Sequence, residues 1–385
     1  MSHKLLDIHL AQASRSLQGA RNNNYSDQHK QLYQDNLVDL LKCISERVEA
    51  STNTPDPFVY EIKQALDFIY KSLEVLDSST LNLIPYETIE CLKSALRDWT
   101  KNTDNYIIVT SLINELYGFS FDPTLVVGFE QRYKDFKNNY GVDFKSRLIQ
   151  INFPRALSRD YLASVVYYHE LGHFVDTIFK ITNTLTRTLF SDYSSNPVGT
   201  TTLLGNFFPF INNSNYSAQA KQQIIYNHLG EYFCDLFASQ YVGRSLNSYL
   251  LYITENNPNS TTSHPASSLR CQLVDDFIDG NANYLVDYIK GAVLRITGKP
   301  LCIRHDKPTG NDIYNFLPPI IDNERQLHGL IALGWDIWQG DWTLFKDNMN
   351  MDTIPNRDTL YTILNNLIEK SIGNYIVTEK WKKSL

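Results

Sequence analysis

Apolar residues recur at helical spacing along the first hundred positions. Residues 29–50, HKQLYQDNLVDLLKCISERVEA, carry apolar side chains about every 3.6 positions, which predicts a helix with one buried face. The apolar positions are Leu32, Leu37, Leu40, Leu41, Ile44 and Val48. The polar stretch STNTPDP (51–57) contains two prolines and ends this helix. Residues 58–77 and 85–101 repeat the pattern and predict two further helices.

The pattern changes near residue 104, where short β-branched runs begin. NYIIVTSLI (105–113) and SRLIQINFP (146–154) predict strands, whereas DPTLVVGFE (122–130) alternates only in part. A strongly apolar helix follows, YLASVVYYHELGHFVDTIF, and we expect it to begin near Ser158 as N-cap with Asp160 in its first turn. Strands therefore precede this helix directly.

The next segment, residues 181–216, is rich in Thr, Ser and Asn with apolar islands. It predicts loops with short elements, which could form a groove or lid or an ordinary surface connection. A second strong helix is expected after Ser217 and ends at Gly243. A polar linker (254–265) follows, and the helical spacing resumes from residue 266.

This order of elements predicts a predominantly helical α+β protein. We expect a helical N-terminal region over 1–103, a central domain over 104–279, and a helical C-terminal region over 280–385 that packs on the central domain. A chain of 385 residues is long enough for two or three such regions.

Composition narrows the class of protein. Apolar residues make up 43% and charged residues 20%, the balance of a folded, soluble chain. The net charge of −7 argues against nucleic acid as a partner, and no apolar run is long enough for a membrane span. The first residues lack the pattern of a signal peptide, and the five cysteines form no C-x-x-C pair. We therefore expect a cytoplasmic protein.

The candidate chemistry lies in HELGH, residues 169–173. Positions i and i+4 of a helix share a face, so His169 and His173 can present two imidazole nitrogens to one ion. Glu170 lies about 100° round the helix, where a general base can take a proton from water. Gly172 leaves room for close packing. The alternative is a structural helix, but burying these polar groups among apolar neighbours without a partner is costly.

A second acidic pair supports a metal site. Glu231 and Asp235 are four apart on the helix after Ser217. The apolar stripe of that helix would face the core, and it consists of Ile225, Leu229, Phe233, Leu236 and Phe237. Acidic side chains beside an apolar core are costly unless they have a partner. Glu231 as a third metal ligand and Asp235 as the hydrogen-bond acceptor of a ligand histidine would each have one.

Together these motifs resemble the gluzincin branch of the zincin metallopeptidases, which has a thermolysin-like pattern of His-Glu-x-x-His followed by Glu-x-x-x-Asp. The resemblance covers roughly residues 145–275. It implies one zinc ion bound by His169, His173 and Glu231, with Glu170 as the base and Asp235 orienting a ligand histidine. It also implies a zincin-like core, with a small mixed sheet and two active-site helices. The 58 positions between His173 and Glu231 imply an insertion at 181–216.

TTSHPASSLR (261–270) resembles the Ser/Thr-His-Pro…Arg segment that follows the third ligand in several gluzincin families. The resemblance implies that His264 or Arg270 stabilises an oxyanion. The alternative is a capped helix start, with Ser263 or His264 at the boundary and Pro265 at the first helical position.

Two further residues of the second helix have simpler interpretations. His228 could approach the metal, although a hydrogen bond beside the ligands, or exposure to solvent, is the more common role of such a residue. Cys234 is expected to pack in the core.

We therefore expect a zinc metallopeptidase that hydrolyses peptide bonds in a protein or peptide substrate. The alternative is a zincin-fold regulatory protein that acts on, or merely binds, one dedicated partner with little general protease activity. A purely structural protein is the third interpretation. The sequence determines neither the substrate nor the oligomeric state.

Overall fold

The structure, a computed structural model, describes residues 3–25, 27–51, 56–80, 86–116, 118–254, 259–349 and 352–384. Its strands are β1 (Tyr106–Ile113), β2 (Ser120–Asp122) and β3 (Arg147–Pro154). The helices before β1 are α1 (His3–Gly19), α2 (Gln28–Glu49), α3 (Asp56–Ser78) and α4 (Tyr86–Trp99). Helix α5 (Glu130–Tyr140) lies between β2 and β3.

Helices alone follow β3 in the described part of the chain. The first six are α6 (Val165–Phe179), α7 (Ile181–Ser195), α8 (Pro197–Leu204), α9 (Ala218–Val242), α10 (Ser245–Thr254) and α11 (Ser267–Asp279). The last five are α12 (Tyr284–Thr297), α13 (Asn311–Tyr314), α14 (Glu324–Gln339), α15 (Thr343–Met349) and α16 (Arg357–Ser384). The predicted class, a mostly helical α+β protein with a small mixed sheet, is confirmed.

The chain divides into two compact units. The first comprises Met1–Ile89 and Thr100–Ser158, and the second comprises Glu90–Trp99 and Arg159–Leu385. This division differs from the three predicted regions, whose boundaries at 103/104 and 279/280 stay predictions.

The first unit packs helices α1, α2, α3 and α5 with a three-stranded sheet in the order β1-β3-β2. Strands β1 and β3 are parallel, with Ile108 opposite Ile149, and the short β2 runs antiparallel to β3. Phe68 of α3 lies within 4.9–5.3 Å of four other aromatic rings at the centre of this unit. Aromatic and aliphatic side chains from helices and strands thus share one core.

The second unit is built around α9, which packs against α6, α7, α10, α11 and α14. Because it has neighbours on all sides, the second half of α9 is buried almost continuously from His228 to Val242. Its side chain Tyr241 accepts a hydrogen bond from Trp99 Nε1 at 2.9 Å. Both metal-site helices of the sequence prediction, α6 and α9, belong to this unit.

Helix α6 begins later than expected. Ser158 follows a 3₁₀ turn, and the helix starts at Val165 rather than directly after Ser158. Asp160 is the physical reason, because its carboxylate accepts the backbone N–H of Ala163 at 3.0 Å and the Tyr361 hydroxyl, which holds residues 158–164 in turns.

The prediction of loops over 181–216 is wrong for much of that segment, which forms α7 and α8. Ile181, Leu185 and Leu189 recur every four positions and are fully buried, so tertiary packing outweighs the modest helix propensity of Thr and Asn. The exposed Thr184 and Thr188 hydroxyls donate to carbonyls four residues earlier and need no loop.

Residues 122–130 also differ from a plain strand. Only Ser120–Asp122 pairs in the sheet, and Thr124–Gly128 forms a π-helical turn. The Pro123 carbonyl accepts N–H groups from Val126, Val127 and Gly128, which closes this turn. Among the described residues, no helix is both long and apolar enough to cross a membrane.

Candidate metal centre

Helix α6 presents both histidines of HELGH on one side. The His169 and His173 ring centroids lie 4.9 Å apart, as expected for side chains one helical turn apart. His169 is 6% exposed and the His173 side chain is 28% exposed, so one imidazole is buried and the other opens toward solvent. This combination suits a site that must admit a ligand.

Gly172 allows α6 and α9 to approach closely, as its position in the motif predicted. A Cβ added at Gly172 would lie 3.1 Å from the Cα of Cys234 and 3.2 Å from its Sγ. A side chain at this position would require Cys234 to shift by a few tenths of an ångström. The close approach brings the two faces of the site together.

Helix α9 supplies the acidic side of the site. Ser217 caps its N-terminus by accepting the N–H of Ala220, and the helix ends at Gly243, where φ is +58°. Both boundaries agree with the sequence prediction. Glu231 and Asp235 lie one turn apart and face α6.

The Glu231 carboxylate meets both histidines. Its Oε2 lies 3.5 Å from His169 Nε2, and its Oε1 lies 3.6 Å from His173 Nε2. Two ligands that are each about 2.1 Å from a tetrahedral zinc ion lie roughly 3.4 Å apart. Each histidine nitrogen therefore lies at about this spacing from one oxygen of Glu231, and the two contacts use different oxygens.

Asp235 and Arg270 complete the buried side of the cluster. His169 Nδ1 lies 3.0 Å from Asp235 Oδ1, although the pair is not aligned for a well-formed hydrogen bond. Arg270 of α11 donates to both Asp235 oxygens at 2.7 Å, and its Nη2 lies 3.2 Å from Glu231 Oε2. Arg270 is 6% exposed, so these contacts are shielded from water.

Cys234 offers a second donor set. The ligand atoms of His169, His173 and Cys234 lie within 4.8 Å of one another, so this triad can also hold a metal ion. Burial raises the pKa of the Cys234 thiol well above its usual value, and four nearby carboxylates raise it further. Both Cys234 and Glu231 thus lie beside the two histidines as possible donors, and the thiol would bind a metal as its thiolate.

Charges within the cluster are coupled. Burial lowers the pKa of His169, but the neighbouring carboxylates of Asp235 and Glu231 outweigh burial and raise it to about 10. Burial, together with the charge of His169, lowers the pKa of His173 to about 4. Burial acts to raise the pKa of Glu231, but Arg270 and the histidines hold it well below its usual value. A protonated His169 and Arg270 thus balance two carboxylates.

A loop over residues 259–266 brings His264 to the mouth of the site. His264 Nε2 lies 3.8 Å from Glu231 Oε1, and its side chain is 55% exposed. Helix α11 begins at Ser267 with Ala266 at its N-cap. The alternative of a helix capped at Ser263 or His264, with Pro265 at its first position, is therefore wrong. The carbonyl of His264 accepts the N–H of Thr261, which shapes the loop instead.

His228 anchors this loop. Its Nε2 donates to the Thr261 carbonyl at 2.7 Å, and the neighbouring Asn227 donates to the Thr262 carbonyl at 3.1 Å. The ring is fully buried and lies near Phe208 and Phe210. His228 therefore binds the loop backbone and has the hydrogen-bonding role that its sequence position predicted.

Glu170 follows His169 on α6 and is 6% exposed. The structure thus brings His169, His173, Glu231, Asp235, His264 and Arg270 into one cluster, with Glu170 adjacent to it in the chain.

Comparison with protein-family models, with curated proteins and with solved structures yields no match for this chain. The interpretation of the site therefore depends on its own geometry and chemistry.

Sequence reasoning identified Arg270 as a site residue but missed its partner, and it missed the position of Cys234 beside the histidines. The pairing of Arg270 with Asp235 joins α11 to α9, and nothing in the sequence pattern predicts that contact. Cys234 was expected only in the core, although its position one residue before Asp235 places it beside the histidines as well.

Proposed function

We propose that this protein is a zinc-dependent peptidase in which His169, His173 and Glu231 bind one zinc ion. The supporting observation is the contact of one carboxylate with both histidine Nε2 atoms, at 3.5 and 3.6 Å. Two imidazoles and one carboxylate are a donor set of catalytic zinc sites that leave a position open for substrate. The partial exposure of His173 leaves that position accessible.

The charge balance fits a divalent cation. Metal ligands must be unprotonated, so an ion would take the place of the proton that His169 carries between Glu231 and Asp235. Asp235 would then accept from Nδ1 of His169 and fix the orientation of the ring. Zinc, when bound, supplies Lewis acidity that polarises a carbonyl and makes water a stronger acid.

Glu170 is the general base of this proposal. It takes a proton from the attacking water and later delivers it to the leaving amine, so that the peptide C–N bond breaks without releasing a free amide anion. Its burial beside His169 keeps the proton transfer away from bulk solvent.

His264 and Arg270 take different roles. Arg270 makes two hydrogen bonds to Asp235 and lies 3.2 Å from Glu231, so its guanidinium is committed to holding these carboxylates. His264 is half-exposed at the mouth of the site, where its Nε2 can reach a substrate oxygen. We therefore assign oxyanion stabilisation to His264 and positioning to Arg270.

The test is Glu170→Gln in the full chain. This change should leave zinc content near one ion per chain while peptide hydrolysis falls by about 10²–10⁴-fold, the usual contribution of general acid–base catalysis. Glu324→Gln on α14 is the matched control and should retain both zinc and activity, because Glu324 is a surface residue paired with Arg97. Wild-type hydrolysis by the Glu170 variant would contradict the mechanism.

The same assay distinguishes a general peptidase from a regulator dedicated to one protein partner. Such a protein would bind zinc and yet leave mixed peptides intact, whereas a general peptidase cleaves them. We expect this protein to cleave the mixed peptides.

A further inference from the structure

A polar cleft lies between α7 and α9, one turn beyond the second histidine. One part has a volume of about 370 Å³, reaches Asp176 and Thr177 of α6, and is lined further by Lys180, Asn183, Thr184, Arg187 and Tyr226. An adjoining part of about 280 Å³ shares Asn183, Arg187 and Tyr226 and continues along the N-terminal half of α9. We refer to both parts together as the α7–α9 cleft.

Both walls of the cleft follow helical periodicity. Lys180, Asn183, Thr184 and Arg187 recur at i, i+3, i+4 and i+7, and so form one face of α7 and its N-cap. Gln219, Gln222, Gln223 and Tyr226 repeat the same spacing on α9. Both stripes are exposed, while the packed face of α7 is formed by the buried Ile181, Leu185 and Leu189, so the cleft offers polar side chains from two helices to a ligand that arrives from solvent.

The positive charges of the cleft are unpaired. Neither Lys180 nor Arg187 forms an ion pair with any carboxylate in the described ranges. The one acid in the lining, Asp176, is turned to the start of α7, where it accepts the N–H of Thr182 at 2.6 Å. Its charge is thus offset by the helix terminus and does not neutralise the two cations.

The wall of the cleft also contains a hydroxyl without a hydrogen-bond partner among the described residues. Thr186 lines the cleft and is 2% exposed, and its Oγ1 has no hydrogen-bond partner among the described residues. Buried polar groups are normally satisfied, so this hydroxyl is an unsatisfied donor in the wall of the cleft. Amide side chains of Asn183 and Gln222 add donors on either side.

The cleft lies within reach of the metal centre. Thr177 Oγ1 donates to the His173 carbonyl at 2.8 Å, and Asp176 is three residues, or about 4.5 Å of helix, beyond His173. An extended peptide advances about 3.3 Å per residue, so the cleft is roughly two to four residues from a bond held at the metal site.

We propose that the α7–α9 cleft binds a carboxylate of the substrate, through Lys180 and Arg187, two to four residues from the bond that is cleaved. This inference rests on the proposed peptidase function and adds the substrate class, an acidic peptide. The carboxylate can come from an Asp or Glu side chain or from the C-terminus of the peptide.

The experiment measures binding apart from hydrolysis. Fluorescein-labelled dodecapeptides are titrated against the zinc-loaded full chain carrying Glu170→Gln, with anisotropy as the readout. The first peptide is neutral and has an amidated C-terminus. The second group consists of amidated peptides that carry a single Glu at successive positions. The third peptide is neutral and has a free C-terminus. Binding by the second set identifies a side-chain carboxylate, and binding by the third identifies the terminal one.

The expected result is about fivefold tighter binding of one carboxylate peptide than of the neutral amidated peptide, the size of an exposed charge pair. Arg187→Gln should reduce this preference, and Arg187→Gln combined with Lys180→Gln should abolish it. Lys221→Gln is the matched control, since Lys221 is a cation of α9 outside the cleft lining and should keep the preference. Equal binding of all peptides by the parent protein, or the same loss in the Lys221 variant, would overturn the proposal.

Turnover by the chain with native Glu170 separates the two proposals. If that protein cleaves neutral and acidic peptides with the same KM, the carboxylate cleft is wrong and the peptidase function stands. If the cleft selects carboxylate peptides but no peptide is cleaved, the peptidase function is wrong and the cleft stands.

Discussion

Arg270 and Asp235 form a two-pronged ion pair, with both donor–acceptor distances at 2.7 Å and both side chains buried. This pair joins α11 to α9 directly behind His169. Because Asp235 in turn lies 3.0 Å from His169 Nδ1, a guanidinium on one helix determines how a metal-ligand candidate on another helix is held.

Arg270→Gln should therefore destabilise the protein strongly. It leaves the buried Asp235 and Glu231 carboxylates without their cation, and breaking a buried ion pair costs about 3–5 kcal/mol. Urea unfolding of chelator-treated protein measures this without a metal contribution. Arg244→Gln is the control, because Arg244 pairs with Asp275 and Asp279 of α11 at the surface. This variant should lose under about 1 kcal/mol of unfolding free energy. Equal losses in both variants would refute the argument.

His264→Ala should lower kcat by roughly 10²–10³-fold, the usual effect of removing one oxyanion donor, while KM and zinc content change little. The side chain is half-exposed, so its removal leaves no buried cavity. Steady-state kinetics on a cleaved peptide and metal analysis check this, with the exposed His29→Ala as control. An unchanged kcat would assign the oxyanion to another group.

His228→Leu should weaken the same step indirectly. It removes the donor to the Thr261 carbonyl and so loosens the loop that carries His264. The expected loss in kcat is smaller than for His264→Ala, and the double variant should lose no more than His264→Ala alone, because both changes act through one group. His228→Gln keeps a donor and should recover part of the activity. Additive losses would place the two histidines in separate roles.

His328 gives a pH dependence that does not involve the metal site. Burial, with the nearby charges of Arg97, His305 and Arg304, lowers its pKa from 6.5 to about 3. Between these values the unfolded chain binds a proton that the folded chain refuses, so stability is full above about pH 6.5 and falls as the pH drops toward 3. His328→Gln keeps a partner for the Tyr168 hydroxyl and removes the titration.

His328 alone should lower the unfolding free energy of the wild type by about 2 kcal/mol between pH 7 and pH 5, at about 1.36 kcal/mol per pH unit below pH 6.5. Urea unfolding at both pH values measures the difference, and the Gln variant should show a smaller loss by that amount. Parallel pH profiles for the two proteins would mean that His328 is protonated when buried.

Much of the fold followed from periodicity. The 3.6-residue spacing predicted α2, α3 and α9, and β-branched runs predicted β1 and β3 at nearly the observed bounds. Helix α7 could not be predicted, because its Thr and Asn residues favour loops and only the tertiary burial of Ile181, Leu185 and Leu189 makes the helix stable. The late start of α6 depends on Asp160 and its contact with Tyr361, 201 positions away.

For the site, spacing along a helix was sufficient to identify the residue pairs 169/173 and 231/235. Which atoms meet across the two helices depends on their distance of approach, and Gly172 against Cys234 sets that distance. Contacts between side chains on separate helices, such as that of Arg270 with Asp235, leave no periodic signal in the sequence. The same limit applies to the α7–α9 cleft, since its two walls lie in segments that the sequence assigned to a loop and to a helix.

Zinc K-edge X-ray absorption of the purified full chain, combined with elemental analysis, tests whether His169, His173 and Glu231 bind one zinc ion. We predict one zinc ion per chain with nitrogen and oxygen ligands alone at about 2.0–2.1 Å, including two imidazoles, and loss of the ion in Glu231→Gln but not in Cys234→Ser. A chain without stoichiometric zinc, or a sulfur ligand at about 2.3 Å that disappears in Cys234→Ser, would contradict the assignment of Glu231 as the third ligand.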